Sequence, residues 1–150
     1  HKFGAELKVG GVNGTANIFV THPNEKLSID TLLVDQIVSS SLFLLIVNAI
    51  IDKKNMQCPK ALIPIAIGLI LSAILFAFSF NSGAPLNPAR DVAPLLFTWM
   101  AGWGKEVFFV AKYSYSYFLV PIIAPHLGAI IGTSVYVLLV EKYLQNADEI

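Results

Sequence analysis

The sequence predicts an all-α membrane protein with three transmembrane helices and one re-entrant half-helix. Three observations carry that class. Only 13% of the 150 residues are charged, 10 Lys+Arg against 10 Asp+Glu, while 55% are hydrophobic and mean hydropathy is +0.67; an average soluble domain carries about 25% charge. Residues 61–140 hold five of those charges, all between Arg90 and Lys112. The uncharged stretches on either side are each long enough to cross about 30 Å of hydrocarbon at about 1.5 Å per helical residue.

The first span is 28–51. Asp30, Asp35, Gln36 and Asn48 interrupt it, but SSSLFLLIVNAII is too apolar and too long for a surface element, so the polar residues turn inward. Ala61–Phe80, 20 residues without an ionisable group, forms the second span, 61–80, and Tyr117–Val140, 24 residues with only His126, forms the third, 117–140. The loop 52–60 sets Lys53, Lys54 and Lys60 against Asp52, so the positive-inside bias places it in the cytoplasm and 1–27 outside as an extracellular loop. That loop contains Asn13-Gly14-Thr15, an acceptor for N-glycosylation that requires an exposed lumenal position, so Asn13 is expected to be modified. Residues 141–150 then form a short acidic cytoplasmic tail. The chain begins with His1 and has no basic-then-apolar leader, and is expected to be a piece of a longer protein.

Residues 81–116, between the second and third spans, are too many for a tight turn and too apolar for a free loop. Asn87-Pro88 is a helix start with a mechanism: Asn accepts from first-turn N–H groups, and Pro fits at the first helical position, where its missing N–H would be unpaired. A half-helix over 88–100 would be roughly half a hydrocarbon core long, so, entered from outside, it begins at the midplane. Gly102 and Gly104 supply the exit turn beside Trp103, an aromatic suited to the interface. The N-terminus of such a half-helix concentrates about half a positive charge at the midplane. Residues 81–86 are read as non-helical backbone, tolerated at that depth only if buried in protein or lining water. The backbone of Asn81, Ser82, Gly83 and Ala84 then offers pore-lining carbonyl acceptors, Asn87 offers an amide donor, and Arg90, one turn on, offers a fork of donors. Acceptors followed by donors pass a polar neutral solute, while the dipole end and Arg90 oppose cations and interrupt a proton-conducting water wire.

Several classes are excluded or disfavoured. Zero net charge without a basic stripe removes nucleic acid as a partner. The single cysteine, Cys58, excludes a disulfide framework and a multi-cysteine metal site, and no metal or cofactor motif is present. An intramembrane enzyme needs paired catalytic groups, and Asp35, Asp91 and His126 are scattered. A non-transporting structural or assembly membrane protein is the alternative to a channel; it accounts for the spans but gives no reason for Asn87-Pro88-Ala89-Arg90 at the midplane.

NPARD followed by LFTWMAGWGKEVF resembles the second half of the aquaglyceroporins, the glycerol-conducting branch of the aquaporin (major intrinsic protein) family. NGTANIFVTHPNEKLS is similar to that family's extracellular third loop, VDQ to the start of its fourth helix, FNSGAPLNPARD to its re-entrant fifth loop and FLVPIIAPHLGAIIG to its sixth helix. The resemblance implies the second inverted repeat of a six-helix fold and a passive channel for water and small polyols such as glycerol. It further implies a homotetramer in the lipid of the plasma membrane, with the missing N-terminal half of the same channel lying upstream. It places Arg90 in the selectivity filter, and gives Pro88, Ala89 and Asp91 supporting roles. Asp35 is taken as the buried acceptor tethering the loop before Asn87, as the matching family carboxylate does; the other reading, a proton relay, needs titratable partners that the sequence does not offer.

Three positions depart from the pattern. Ala84 stands where the branch usually has a filter aromatic, Leu75 where it usually has Gly and the water-specific branch has His, and Leu95 where a basic residue is usual. Ala84 and Leu75 are thus counted as filter positions, with Ala84 implying a wide mouth. Elsewhere, His126 is either a pH sensor or, more simply, a hydrogen-bonded structural histidine. Gly128 and Gly132 form a GxxxG pair for close helix packing, within the subunit or between subunits. Pro64, Pro121 and Pro125 fit first-turn or kink positions.

Overall fold

The computed structural model describes residues 7–9, 14–110, 112–114 and 116–147. Among these no strand occurs, and three helices are long and apolar enough to cross a membrane: Ile29–Ile51, Ile63–Ser82 and the continuous helical run Ser116–Gln145. Asn13 lies outside the described residues.

Helix α1 (Ile29–Ile51) starts on Ser28, whose hydroxyl accepts from the Thr31 N–H at 3.2 Å, with Asp30 in the first turn where the helix dipole favours an anion. Helix α2 (Ile63–Ser82) has Pro64 in its first turn and stops at Gly83, which takes a left-handed φ of 75° and returns its N–H to the Ser79 carbonyl at 3.0 Å. Helix α3 (Pro88–Thr98) is the half-helix; it runs on through a π turn, Trp99–Trp103, broken by Gly102 at φ 108°. Helix α4 (Val120–Tyr136) has Pro121 in its first turn and Pro125 inside, and passes through a second π turn, Val137–Glu141, into α5 (Lys142–Ala147).

Helices α1 and α4 form the central pair. Gly128 and Gly132 make the contact possible: a Cβ on Gly128 would lie 2.6 Å from both the Ile37 carbonyl oxygen and the Ser40 Cβ, and one on Gly132 would overlap the Ser41 carbonyl. The GxxxG pair therefore serves packing inside this chain. At one end of the pair a core of Leu32, Val110, Tyr113, Tyr117, Val120 and Ala124 joins α1, α4 and the segment before α4. A second cluster, Ala16, Val20, Leu95 and Val107, holds the segment before α1 against the half-helix. Helix α2 is nearly bare, with Phe76 and Phe80 89% and 82% exposed. Such a surface is costly in water and suited to hydrocarbon or to further protein.

Several boundaries differ from the sequence reading: α2 begins at Ile63 rather than at 61, and the α-helical part of the half-helix ends at Thr98 rather than at 100. Asn81 and Ser82 are helical, the last turn of α2, so the non-helical connection begins at Gly83. The third span continues past Val140, because the π turn absorbs one residue and carries the helix on through Glu141 and Lys142.

Candidate functional site

The half-helix begins as its first residues dictate. The Asn87 side-chain Oδ1 accepts from the Ala89 N–H at 2.9 Å and the Arg90 N–H at 3.3 Å, with Pro88 at the first helical position and Ala89 at the second. That use of the oxygen leaves both N–H donors of the Asn87 amide, and the residue is exposed. Arg90 follows on an open side, its side chain 51% exposed, with one guanidinium nitrogen 3.8 Å from the Asp91 carboxylate. Asp91 itself is buried and accepts from the Thr21 hydroxyl. Donors thus lie along one open side of the half-helix start, while the neighbouring carboxylate is turned into the protein.

The approach to Asn87 is fixed from three directions. Asp35, on α1, accepts from Asn81 Nδ2 at 2.8 Å and from Ser82 Oγ at 2.6 Å. Tyr117, entering α4, donates its hydroxyl to the Ser82 carbonyl at 3.0 Å. From the segment before α1, the Asn24 N–H bonds the Asn81 carbonyl at 2.8 Å, and Thr21 and His22 lie over Gly83. His22 is partly buried with an unpartnered Nδ1, and burial pushes its pKa below the usual 6.5 against the pull of Glu25 and Asp91.

These contacts revise the roles read from sequence for the residues before Asn87. The carbonyls of Asn81 and Ser82 are already bonded, to Asn24 and Tyr117, so they are braced rather than open acceptors. Ala84 is fully buried, so neither its methyl nor its carbonyl faces open space. The physical reason is the turn: Gly83, Ala84 and Leu86 take φ of 75°, 42° and 50°, folding the chain under Thr21. Gly83 is only partly exposed, and Leu75, on α2, is likewise half-buried. Leu95 is buried in the second core cluster.

The model of the major intrinsic proteins matches residues 4–136. The chain belongs to the major intrinsic protein family. Relatives within it include aquaporin-3 of Milnesium tardigradum, 42% identical over 141 residues that make up 94% of this chain and 43% of the relative. Aquaporin-9 of Homo sapiens is 42% identical over 147 residues, 98% of this chain and 49% of the relative. Among solved structures, the aquaglyceroporin from Plasmodium falciparum superposes with a TM-score of 0.77 at 24% identity, covering 85% of this chain and 51% of that one. The chain spans about half the length of the curated relatives it matches. The all-helical class with three spans is shared with the part of that structure that this major intrinsic protein matches.

Three residues that brace the site carry no local pattern in the sequence: Thr21, Asn24 and Tyr117. Among the described residues no cluster of His, Cys, Asp or Glu is arranged to hold a metal. His126 Nδ1 lies 2.7 Å from the Ile122 carbonyl one turn earlier, a local hydrogen bond within α4.

Proposed function

We propose that the complete protein is a passive channel for water and small neutral polar solutes such as glycerol, excluding ions and protons, and that this chain supplies half of its pore. The observation that carries the reading is the capped Asn87. Its oxygen is consumed by two backbone N–H groups, so only donors remain to meet a solute at the positive end of the half-helix. A solute hydroxyl accepts from Asn87 and, farther out, from Arg90. A cation meets the dipole and the guanidinium instead, in a constriction where charge is weakly screened. Oriented donors also force the water at Asn87 to present its oxygen, which breaks the chain of hydrogen bonds a proton would follow.

In this reading Arg90 is the fixed donor of the selectivity filter and Leu75 an apolar wall. Ala84 acts through the buried turn that it closes rather than as a wall. Asp35, Pro88, Ala89 and Asp91 hold the donors in place. The second half of the pore is an N-terminal half of the same chain, and the working unit is a homotetramer in the plasma membrane. The loop 52–60 faces the cytoplasm and 1–27 the outside, with Asn13 glycosylated. The glycerol assignment draws on the aquaglyceroporin resemblance of NPARD and AGWG.

The test is osmotic. Vesicles carrying the complete protein should exchange glycerol and water well above empty vesicles, and Asn87→Leu, which removes both cap and donors, should return both rates to background. Glycerol exchange unchanged in Asn87→Leu would remove Asn87 from the pore.

A further inference from the structure

A cavity of about 440 Å³ opens where α1 ends and α2 begins, far in sequence from the half-helix. Its walls have two chemistries. Ile50 and Ile51, the last turn of α1, and Ile63, the first residue of α2, supply an apolar floor, while Lys53 and Lys60 stand on the loop above it. Both isoleucine groups sit where a spanning helix meets its loop, which is the level of the membrane surface.

The charges around the cavity are unevenly committed. Asp52, the acidic residue lining it, accepts from the Tyr136 hydroxyl at 2.6 Å and the Lys54 N–H at 2.8 Å. Lys53 and Lys60 are exposed and make no ion pair or hydrogen bond among the described residues. Glu141 lines a neighbouring cavity that Lys53 also borders, without pairing with it. Two free ammonium groups suit a phosphate, since each is a compact charge with rotatable donors. A soluble anion would satisfy the lysines and leave the isoleucines wet; an acyl chain alone would do the reverse. An anion with an attached acyl chain satisfies both, and the volume falls within the ~300–1,000 Å³ of ligand sites.

We propose that this cavity binds an anionic phospholipid, the headgroup phosphate between Lys53 and Lys60 and the first acyl carbons against Ile51 and Ile63. The leaflet it draws from rests on the orientation proposed above, and would be the inner one, where anionic lipid attracts lysines. The site itself does not depend on that orientation.

The complete protein in detergent tests it by native mass spectrometry with phosphatidylserine or phosphatidylcholine of identical chains. Phosphatidylserine should be retained at least about fivefold more. Lys53→Gln with Lys60→Gln should abolish the preference, the paired Lys→Arg variant should keep it, and Lys142→Gln should leave it unchanged. Inorganic phosphate should not displace the lipid. Equal retention of the two lipids, a preference that survives the paired Gln variant, or displacement by inorganic phosphate would each overturn the proposal. The wild-type protein gives a second reading independent of any variant: acetylation of Lys53 and Lys60 should slow in phosphatidylserine and not in phosphatidylcholine, and equal rates count against the site. Because no membrane orientation enters these measurements, their failure is separable from failure of the channel reading.

Discussion

Asp35 and Ser82 stand 47 positions apart and meet at 2.6 Å, carboxylate to hydroxyl, with Asn81 on the other carboxylate oxygen at 2.8 Å. One acidic side chain inside a span thereby fixes the end of α2 and the point from which the chain turns toward Asn87. A carboxylate inside a span is costly unless it is satisfied, and this one is satisfied by the residues it holds. Asp35→Ala should leave the buried Ser82 hydroxyl without its acceptor, at about 1–3 kcal/mol, and the half-buried Asn81 amide without its own. The expected outcome is a lower thermal midpoint in detergent together with loss of glycerol exchange. Asp35→Asn, which keeps an acceptor, should be milder on both measures.

The α1–α4 contact makes a contrast between glycines. Gly132→Ala drives a methyl into the Ser41 carbonyl, and Gly128→Ala meets Ile37 and Ser40, so each should destabilise by at least about 1–3 kcal/mol. Gly68, in α2, has nothing within 4 Å of the position a Cβ would occupy, and Gly68→Ala should be neutral or gain about 0.5–1 kcal/mol of helix propensity. Thermal unfolding of the three variants in one detergent compares them directly.

A pH dependence follows from His22. Its pKa is lowered below 6.5 in the folded protein, mainly by burial, so on acidification the unfolded chain takes up the proton first. Stability is then full above about 6.5 and declines as pH falls from there toward the lowered folded value. The protection factors of the Thr21–Asn24 amides, their exchange relative to the intrinsic rate at each pH, should fall between pH 7.5 and 5.5, and His22→Phe should remove that fall. The same protection factor at both pH values in the wild type would show that His22 does not brace the segment over Gly83.

Topology can be read chemically. Asn13 should carry glycan when the complete protein is made in a eukaryotic membrane system, and Lys53 should react with an impermeant amine reagent only after the cytoplasmic side is opened. Reaction of Lys53 in intact cells would reverse the orientation.

Much of this arrangement was legible locally. Charge-free runs mark spans because burial in hydrocarbon tolerates no unpaired charge, and Asn87-Pro88 marks a helix start because the first-turn N–H groups need an acceptor. The braces were not legible. Thr21 meets Asp91 across 70 positions, and Tyr117 reaches the Ser82 carbonyl across 35, with no periodicity to announce either. The burial of Ala84 was hidden for the same reason: it depends on a left-handed turn at a non-glycine residue, stabilised by a segment that lies far upstream. The π turn at Val137–Glu141 likewise has no sequence signature in a run that is helical on both sides.

Selectivity should reside in Arg90. Arg90→Ala removes the guanidinium from the open side of the half-helix, and the expected outcome is faster passage of solutes bulkier than glycerol together with a measurable cation leak. Ala84→Phe should act differently: with no space around Ala84 it should lower stability rather than narrow the pore, and a properly folded Ala84→Phe channel with altered solute ratios would return Ala84 to the filter wall.

The central claim is that donors presented at the start of a half-helix pass neutral solutes and refuse protons. Glycerol exchange and proton flux measured in the same vesicles, carrying the complete wild-type protein, test it most directly. Glycerol exchange well above that of empty vesicles, with proton flux indistinguishable from theirs, is the predicted result; proton flux that rises in step with glycerol exchange would contradict it.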